Sequence, residues 1–189
     1  MLLIDGSGSM YGERRDSAMI SSLILHEVLK KQGIVHAIVE HRAIYNEKRV
    51  EHNILIDFNA KNEDKYNILT LDADHGTREG LSLFWASNYL MNNTTNENKL
   101  IIVLSDGMPA HSIQGEGCYF PPVSSKDTAN AATKIIKSGI DIIAVALDDD
   151  SAHSCYDDLN NIYSSVIACT DLKKLTGQLL SIISKKLLM

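Results

Sequence analysis

"LLIDGSGSM" occupies residues 2–10 and joins a short apolar strand to a turn of glycine and serine. The apolar residues run into Asp5, and Ser7 and Ser9 follow at every second position. Glycines between them let the backbone turn sharply, and side chains two residues apart in an extended segment point the same way. We therefore expect one carboxylate and two hydroxyls to face a common point at the carboxyl end of this strand.

Strand and helix patterns alternate along the rest of the chain. Strands are predicted at 2–5, 34–44, 50–58, 99–107, 140–147 and 165–169. Helices are predicted at 14–32, 80–91, 128–139, 158–163 and 171–189, the last capped by Thr170, with loops at 59–67 and 108–125. Alternation favours parallel strands with right-handed crossovers, and a short polar turn at 45–48 favours one antiparallel hairpin. The expected fold class is α/β: a Rossmann-like, doubly wound, mostly parallel central sheet with one antiparallel edge strand and helices on both faces.

Length and composition predict one domain over residues 1–189, since 44% of the residues are hydrophobic. The chain begins inside its first strand. Either Met1 is the natural N-terminus or, as we favour, the sequence is the C-terminal piece of a longer protein. The net charge of -6 argues against nucleic acid as a partner. No apolar run approaches the roughly 20 residues that span a bilayer. Three cysteines without a CxxC spacing favour a cytoplasmic location.

Two further segments bring oxygen side chains to the predicted sheet edge. Asp106 ends the buried strand 99–107, and Thr77 precedes the helix at 80–91. Ligands of such sheets bind beyond the carboxyl ends of the strands. Together with the first turn, these segments predict a metal site made of Asp5, Ser7, Ser9, Thr77 and Asp106. Oxygen ligands of low total charge suit Mg2+, with Mn2+ or Ca2+ as alternatives, and leave the cation able to accept a carboxylate from a partner protein.

The same three segments resemble the metal-ion-dependent adhesion site of von Willebrand factor A domains. They are D-x-S-x-S at 5–9, the Gly-Thr pair at 76–77 and S-D-G at 105–107, and their order fits over essentially the whole chain. The resemblance implies a doubly wound sheet that holds Mg2+ at its top. It also implies that Ser7, Ser9 and Thr77 are direct ligands, and that Asp5 and Asp106 act through water.

Three segments in the second half of the chain resemble a narrower group of proteins within this family. "LSDGMPA" (104–110), "DTANAATKIIKSGIDIIAVALD" (127–148) and "DLKKLTGQLL" (171–180) resemble the A domains of bacterial cobaltochelatase subunits and nitric-oxide-reductase activation proteins. Such proteins commonly work beside AAA+ ATPases of the MoxR or chelatase type, which implies an intracellular adaptor. Chelatase-type relatives often carry Asn and Asp at the positions of Thr77 and Glu79, so this part of the chain is closer to the general adhesion-site pattern.

Several residues near these segments are candidates for partner contacts. Long loops often carry function, and exposed aromatic side chains often contribute much of an interface's binding energy. The candidates are His75, Arg78 and Glu79 around the second segment, and His111, Tyr119 and Phe120 in the loop at 108–125.

Other functions fit the sequence less well than a non-enzymatic binding module. A Mg2+-dependent hydrolase with His75 or Asp72 as base, and a structural chelatase subunit with a vestigial metal site, remain as alternatives. A dinucleotide-binding G-x-G-x-x-G motif is excluded because position 11 is Tyr and not glycine. An aspartate-nucleophile phosphatase fits poorly, because the Thr expected two residues after Asp74 is Gly76. A zinc site from His111, Cys118, His153 and Cys155 lacks zinc-like spacing.

Overall fold

A six-stranded sheet forms the centre of the computed structural model, which describes residues 1–147 and 155–187. In chain order, the strands are β1 Leu2–Asp5, β2 Ile38–Ala43, β3 Val50–Ile56, β4 Lys99–Ser105, β5 His111–Ile113, β6 Gly117–Tyr119, β7 Ile140–Leu147 and β8 Val166–Cys169. The α-helices are α1 Glu13–Lys31, α2 Glu79–Asn93, α3 Val123–Lys137, α4 Cys155–Asn160 and α5 Leu175–Leu187.

The strands of the main sheet lie in the order β3-β2-β1-β4-β7-β8. All neighbouring pairs are parallel except β2 with β3, which form the antiparallel edge hairpin. The chain runs outward from β1 to β3 and then returns to β4 on the other side of β1. Strand order therefore reverses between β1 and β4, which is where open α/β sheets bind ligands.

Alternate residues of each central strand pack against opposite helix layers. Leu2 and Ile4 of β1 belong to a buried cluster with residues of α1 and α5, whereas Leu3 belongs to one with residues of α2, α3 and α4. Each fully buried Leu or Ile contributes about 1.5–3 kcal/mol to burial energy. Because both faces of the sheet are covered, the central strands are almost wholly apolar. The predicted fold class is confirmed.

Several predicted element boundaries are wrong. The predicted loop at 59–67 overlaps a 3-10 helix at Asn62–Thr70, which is anchored by the fully buried Ile68. Within the predicted loop at 108–125, β5 and β6 form a small hairpin, and α3 begins at Val123 instead of 128. The final helix is preceded by a 3-10 turn in which the Asp171 side chain, not Thr170, accepts the Lys173 N–H at 3.1 Å.

Among the described residues, no helix is long and apolar enough to cross a membrane. All three cysteines are free thiols: Cys118 is exposed, and Cys155 and Cys169 are buried.

Candidate metal centre

The Asp5 carboxylate is buried at the carboxyl end of β1 and is held by two hydrogen bonds. The Ser7 N–H donates to Asp5 Oδ1 at 2.9 Å, and the Ser105 hydroxyl at the end of β4 donates to Asp5 Oδ2 at 3.1 Å. At Gly6, a Cβ atom would lie 2.6 Å from the Glu40 carboxylate, so a side chain there would displace a buried group. Asp5 is thus fixed in orientation, and the turn that follows it passes close to β2.

The two serine hydroxyls of the first turn connect β1 to the end of β4. The oxygens of Ser7 and Ser9 are 3.0 Å apart, and the Ser9 hydroxyl donates to Asp106 Oδ1 at 2.8 Å. Ser7 is buried, whereas Ser9 is exposed. The result is a continuous row of oxygen atoms that opens to solvent at Ser9.

Backbone hydrogen bonds join the second loop to its neighbours on both sides. The Gly8 N–H donates to the His75 carbonyl at 3.0 Å, and the Thr77 N–H donates to the Ala110 carbonyl at 2.8 Å. At Gly76, a Cβ atom would lie 2.6 Å from that same Ala110 carbonyl oxygen, so only glycine allows this approach. The loops after β1, before α2 and after β4 therefore form one bonded unit.

The Thr77 hydroxyl is buried and has no hydrogen-bond partner in the part of the chain that the structure describes. A buried polar group without a partner costs about 1–3 kcal/mol, so such atoms commonly mark positions where a ligand, ion or water binds. Thr77 lies in the loop whose His75 carbonyl accepts the N–H of Gly8, and Gly8 is the residue between Ser7 and Ser9. Its hydroxyl is thus a buried acceptor without a partner in a loop that contacts the first turn.

Acidic side chains under these loops repel one another. Burial, and then the charge of Asp5, raise the pKa of Asp106 to about 6. Burial also raises the pKa of Asp5 above its usual range. Arg14 at the start of α1 offsets part of this repulsion, because its Nη1 donates to Asp106 Oδ2 and to the Ser9 carbonyl, both at 3.1 Å. A bound cation would offset it further.

Glu79 lies below the loops, so it is not accessible for the partner contact that the sequence suggested. Its side chain is completely buried, and the Tyr163 hydroxyl donates to its Oε1 at 2.5 Å. Burial, followed by repulsion from Asp5 and Asp106, raises the pKa of Glu79 to about 8. Burial therefore favours the neutral form of this carboxyl group, and the side chain cannot reach a partner without a change in the loops.

The oxygen set fits a hard divalent cation better than zinc. No group of three or more His, Cys, Asp and Glu side chains that could hold a metal occurs within residues 1–147 and 155–187. The hydroxyls of Ser7, Ser9 and Thr77, with the carboxylates of Asp5 and Asp106, are instead the ligand type that Mg2+ prefers. Of the conceivable zinc ligands, His153 lies outside the described residues.

The other predicted partner residues occupy different environments. Arg78 stacks over the Tyr119 ring at 4.8 Å, and the Tyr119 hydroxyl donates to Asp127 Oδ2 at 2.7 Å, whereas Phe120 is exposed. His111 is buried, and its Nε2 lies 3.0 Å from the Glu47 carbonyl oxygen, so it is not accessible for the partner contact that the sequence suggested.

The two candidate bases of a hydrolase also have local partners. His75 is half-buried, in an edge-to-face contact with Tyr45, and its Nε2 lies 3.7 Å from the Asp74 carboxylate. Asp72 is exposed, and its carboxylate lies 3.8 Å from Arg42 Nη1. Neither contact pairs the base with a nucleophile.

Three residues of the site were missed by sequence reasoning. Ser105 lies within the recognised S-D-G segment, and its position next to Asp106 could have drawn attention to it. Arg14 and Tyr163 carry no such signal, because they meet Asp106 and Glu79 only through the fold.

No protein-family model and no curated protein matches the sequence. Among solved structures, the pilus adhesin SpaC from Lactobacillus rhamnosus GG, in its open conformation, superposes with a TM-score of 0.72 at 15% identity, over 98% of this chain and 29% of that one. The vWF domain of the type V pili tip protein Mfa5 from Porphyromonas gingivalis gives 0.72 at 15% identity, over 97% and 93% of the two chains.

A third solved structure carries a metal. Proximal thread matrix protein 1 from the mussel byssus, with a zinc-occupied MIDAS motif (metal-ion-dependent adhesion site), gives a TM-score of 0.59 at 17% identity, over 96% of this chain and 46% of that one. This chain thus spans less than a third of SpaC and nearly all of the Mfa5 domain. Identities this low establish the fold alone: the described residues adopt a fold like that of von Willebrand factor A domains.

Proposed function

We propose that this chain is a protein-binding module in which a bound divalent cation, Mg2+ by preference, accepts a carboxylate from a partner protein. The observation that carries the proposal is the buried Thr77 hydroxyl, which has no hydrogen-bond partner among the described residues and lies in the loop bonded to Gly8. The linked hydroxyls of Ser7 and Ser9 lie on either side of Gly8. These oxygens suit a hard cation.

In this proposal Ser7, Ser9 and Thr77 hold the cation directly, and Asp5 and Asp106 act through water. When bound, the cation supplies a Lewis-acidic position for a carboxylate oxygen. The chain's own groups keep the site in order: the Ser7 N–H and the Ser105 hydroxyl fix both oxygens of Asp5, and Arg14 holds Asp106. Neutral hydroxyl ligands leave the cation electrophilic, which favours an acidic partner.

The proposal extends to a cytoplasmic adaptor role beside an AAA+ ATPase of the MoxR or chelatase type. Its support is the sequence resemblance of residues 104–110, 127–148 and 171–180 to cobaltochelatase-subunit and nitric-oxide-reductase activation A domains. The fold neighbours are instead pilus adhesins and a thread matrix protein. The core of the proposal, metal-dependent binding of a partner protein, does not depend on which of these settings applies.

The direct test is calorimetric titration of Mg2+ into the wild-type chain and into Ser7→Ala. Wild type should bind one Mg2+, and the variant should lose most of the affinity because one cation ligand is removed. Ser184→Ala, an exposed serine on α5, is the matched control and should bind normally. Equal Mg2+ binding by Ser7→Ala and wild type, with both chains folded, would contradict the proposal.

The proposal assigns no catalytic step to the site. The contacts of Asp72 and His75, with Arg42 and Asp74 respectively, pair neither candidate base with a nucleophile. The purified chain with Mg2+ should therefore leave a generic phosphoester such as p-nitrophenyl phosphate intact. Turnover that is lost in Ser7→Ala would favour a hydrolase instead.

A further inference from the structure

The outer face of α2 and α3, with the residues just before α3, exposes four large apolar side chains near the candidate metal centre. Their exposed fractions are 63% for Val123, 46% for Phe120, 43% for Leu81 and 38% for Phe84. A Cβ atom added at Gly80 would lie 3.3 Å from the Thr128 backbone, so the two helices touch where these side chains lie. We call this set, together with Arg78 and Lys134, the α2–α3 face. Apolar patches of this kind commonly mark interaction sites.

Positive charge surrounds these apolar side chains. Residues 78–93 and 120–137 contain four basic residues, Arg78, Lys126, Lys134 and Lys137, and only two acidic ones, Glu79 and Asp127. Glu79 is buried, so apart from it the two segments carry four basic side chains and one acidic one, Asp127, whose carboxylate accepts the Tyr119 hydroxyl. The α2–α3 face is therefore basic, although the whole chain carries a net charge of -6.

Two of the cations are held by aromatic rings beside the apolar side chains. The Arg78 guanidinium lies 4.8 Å from the centre of the Tyr119 ring, and Lys134 Nζ lies 5.9 Å from the centre of the Phe84 ring. Both positive charges therefore lie directly beside the apolar side chains, where they favour an acidic partner.

The α2–α3 face begins at the candidate metal centre. Arg78 follows Thr77 directly in the chain, and α2 starts at the next residue. Leu81 and Phe84 lie in the first two turns of α2, so a segment whose carboxylate reaches the metal edge would meet them next. Within the part of the chain that the structure describes, Leu81 and Phe84 stay 43% and 38% exposed.

We propose that the α2–α3 face binds an acidic amphipathic segment of a partner protein. One carboxylate of the segment reaches the cation, and this part rests on the function proposed above. Apolar side chains of the segment pack on Leu81, Phe84 and Val123, and its further acidic side chains pair with Arg78 and Lys134. The partner segment is thereby expected to carry both negative charge and a row of apolar side chains.

The experiment measures binding of short blocked peptides to the full chain by fluorescence anisotropy in Mg2+. The probe peptide combines Asp and Glu with Leu at helical spacing; one matched peptide has Lys in place of the acids, and another has Ser in place of Leu. The double variant Phe84→Ser/Lys134→Glu tests the surface. Ile20→Ser/Lys31→Glu on the exposed side of α1 is the control.

Wild type should bind the probe about tenfold more tightly than either matched peptide, and the α2–α3 double variant should lose about that factor, whereas the α1 variant should not. The proposal is overturned if the three peptides bind equally, or if the α2–α3 variant binds the probe like wild type. Binding of the chain to vesicles rich in phosphatidylserine, or self-association through Phe84 seen by sedimentation, in place of probe binding would equally overturn it.

Adding EDTA separates this proposal from the metal function. Loss of probe binding in the α2–α3 variant, without any effect of EDTA, would support the surface and contradict the metal function. Mg2+-dependent probe binding that is unchanged by the Phe84 and Lys134 substitutions would support the metal function and contradict the surface.

Discussion

Arg14 brings a positive charge against one of the two carboxylates of the candidate metal centre. Its Nη1 lies 3.1 Å from Asp106 Oδ2, and its side chain is mostly buried. We expect Arg14→Met to bind Mg2+ several-fold, up to about tenfold, more tightly, because a cation near the site repels the incoming dication. The same variant should bind a carboxylate more weakly once Mg2+ is present, because the site is then less positive.

Calorimetry of Mg2+ alone, followed by acetate added to the Mg2+-saturated chain, measures both changes. Arg14→Lys keeps the charge and should stay close to wild type in both titrations. If Arg14 serves only to hold the loops together, its removal should weaken the binding of both Mg2+ and acetate. A change of both affinities in the same direction would therefore contradict the electrostatic role.

His41 on β2 makes folding dependent on pH. Its side chain is completely buried, with neither ring nitrogen hydrogen-bonded among the described residues, and burial lowers its pKa from 6.5 to about 3. Below pH 6.5 the His41 imidazole is protonated in the unfolded chain but stays neutral in the folded chain. The free energy of unfolding therefore falls as the pH drops from 6.5 towards 3. At about pH 4.5 the loss from this residue should reach about 2–3 kcal/mol.

Urea unfolding at neutral and acidic pH checks this expectation in wild type and His41→Leu. The variant should show a smaller decrease in unfolding free energy between the two pH values, whatever its stability at neutral pH. An identical decrease in both proteins would mean that other groups account for the acid sensitivity.

Single residues of the site differ in how far the sequence could predict them. Asp5, Ser7 and Ser9 could be proposed as one group because their spacing in a turn is a local property. Thr77 and Asp106 followed from the topology, since both end up at the same sheet edge. Arg14 and Tyr163 could not be predicted, because their contacts join residues that are far apart in the chain.

At the scale of structural elements, Gly76 joins the loop before α2 to the loop after β4. A methyl group at Gly76 would lie 2.6 Å from the Ala110 carbonyl oxygen, which belongs to backbone and cannot rotate away. We expect Gly76→Ala to lower the free energy of unfolding by about 1–3 kcal/mol. It should also weaken Mg2+ binding, because Thr77 is displaced with the loop.

Chemical denaturation and Mg2+ titration together test this effect. Gly107→Ala, also in a loop of the site, is the control, because an added methyl group there meets no other atom within 4 Å. Unchanged stability and affinity in Gly76→Ala would show that the two loops move apart at little cost.

The regular elements were predictable where the apolar pattern alone decides them. The buried strands β4 and β7 are continuous apolar runs, and the antiparallel pairing of β3 followed from a short turn. The 3-10 helix at Asn62–Thr70 and the β5–β6 hairpin lack such a pattern. They depend on tertiary contacts, such as burial of Ile68 and the bond from Tyr119 to Asp127, which no local window of sequence contains.

At the scale of the whole molecule, the doubly wound topology explains why residues from three distant segments meet. β1 and β4 are neighbours at the point where strand order reverses, so Asp5 and Asp106 end side by side, and α2 starts at the same edge. The fold is shared with adhesin domains at identities near 15%. Hydroxyl and carboxylate side chains at this edge, and not overall sequence similarity, are therefore the basis of the functional proposal.

The most direct test of a metal centre is anomalous diffraction from crystals of this chain soaked in Mn2+. Manganese is a hard cation with the same preference for oxygen ligands, and it scatters anomalously. One anomalous peak within bonding distance of the Ser7, Ser9 and Thr77 hydroxyls is the predicted result. The absence of a peak at that position, or a single strong peak elsewhere on the chain, would contradict the account.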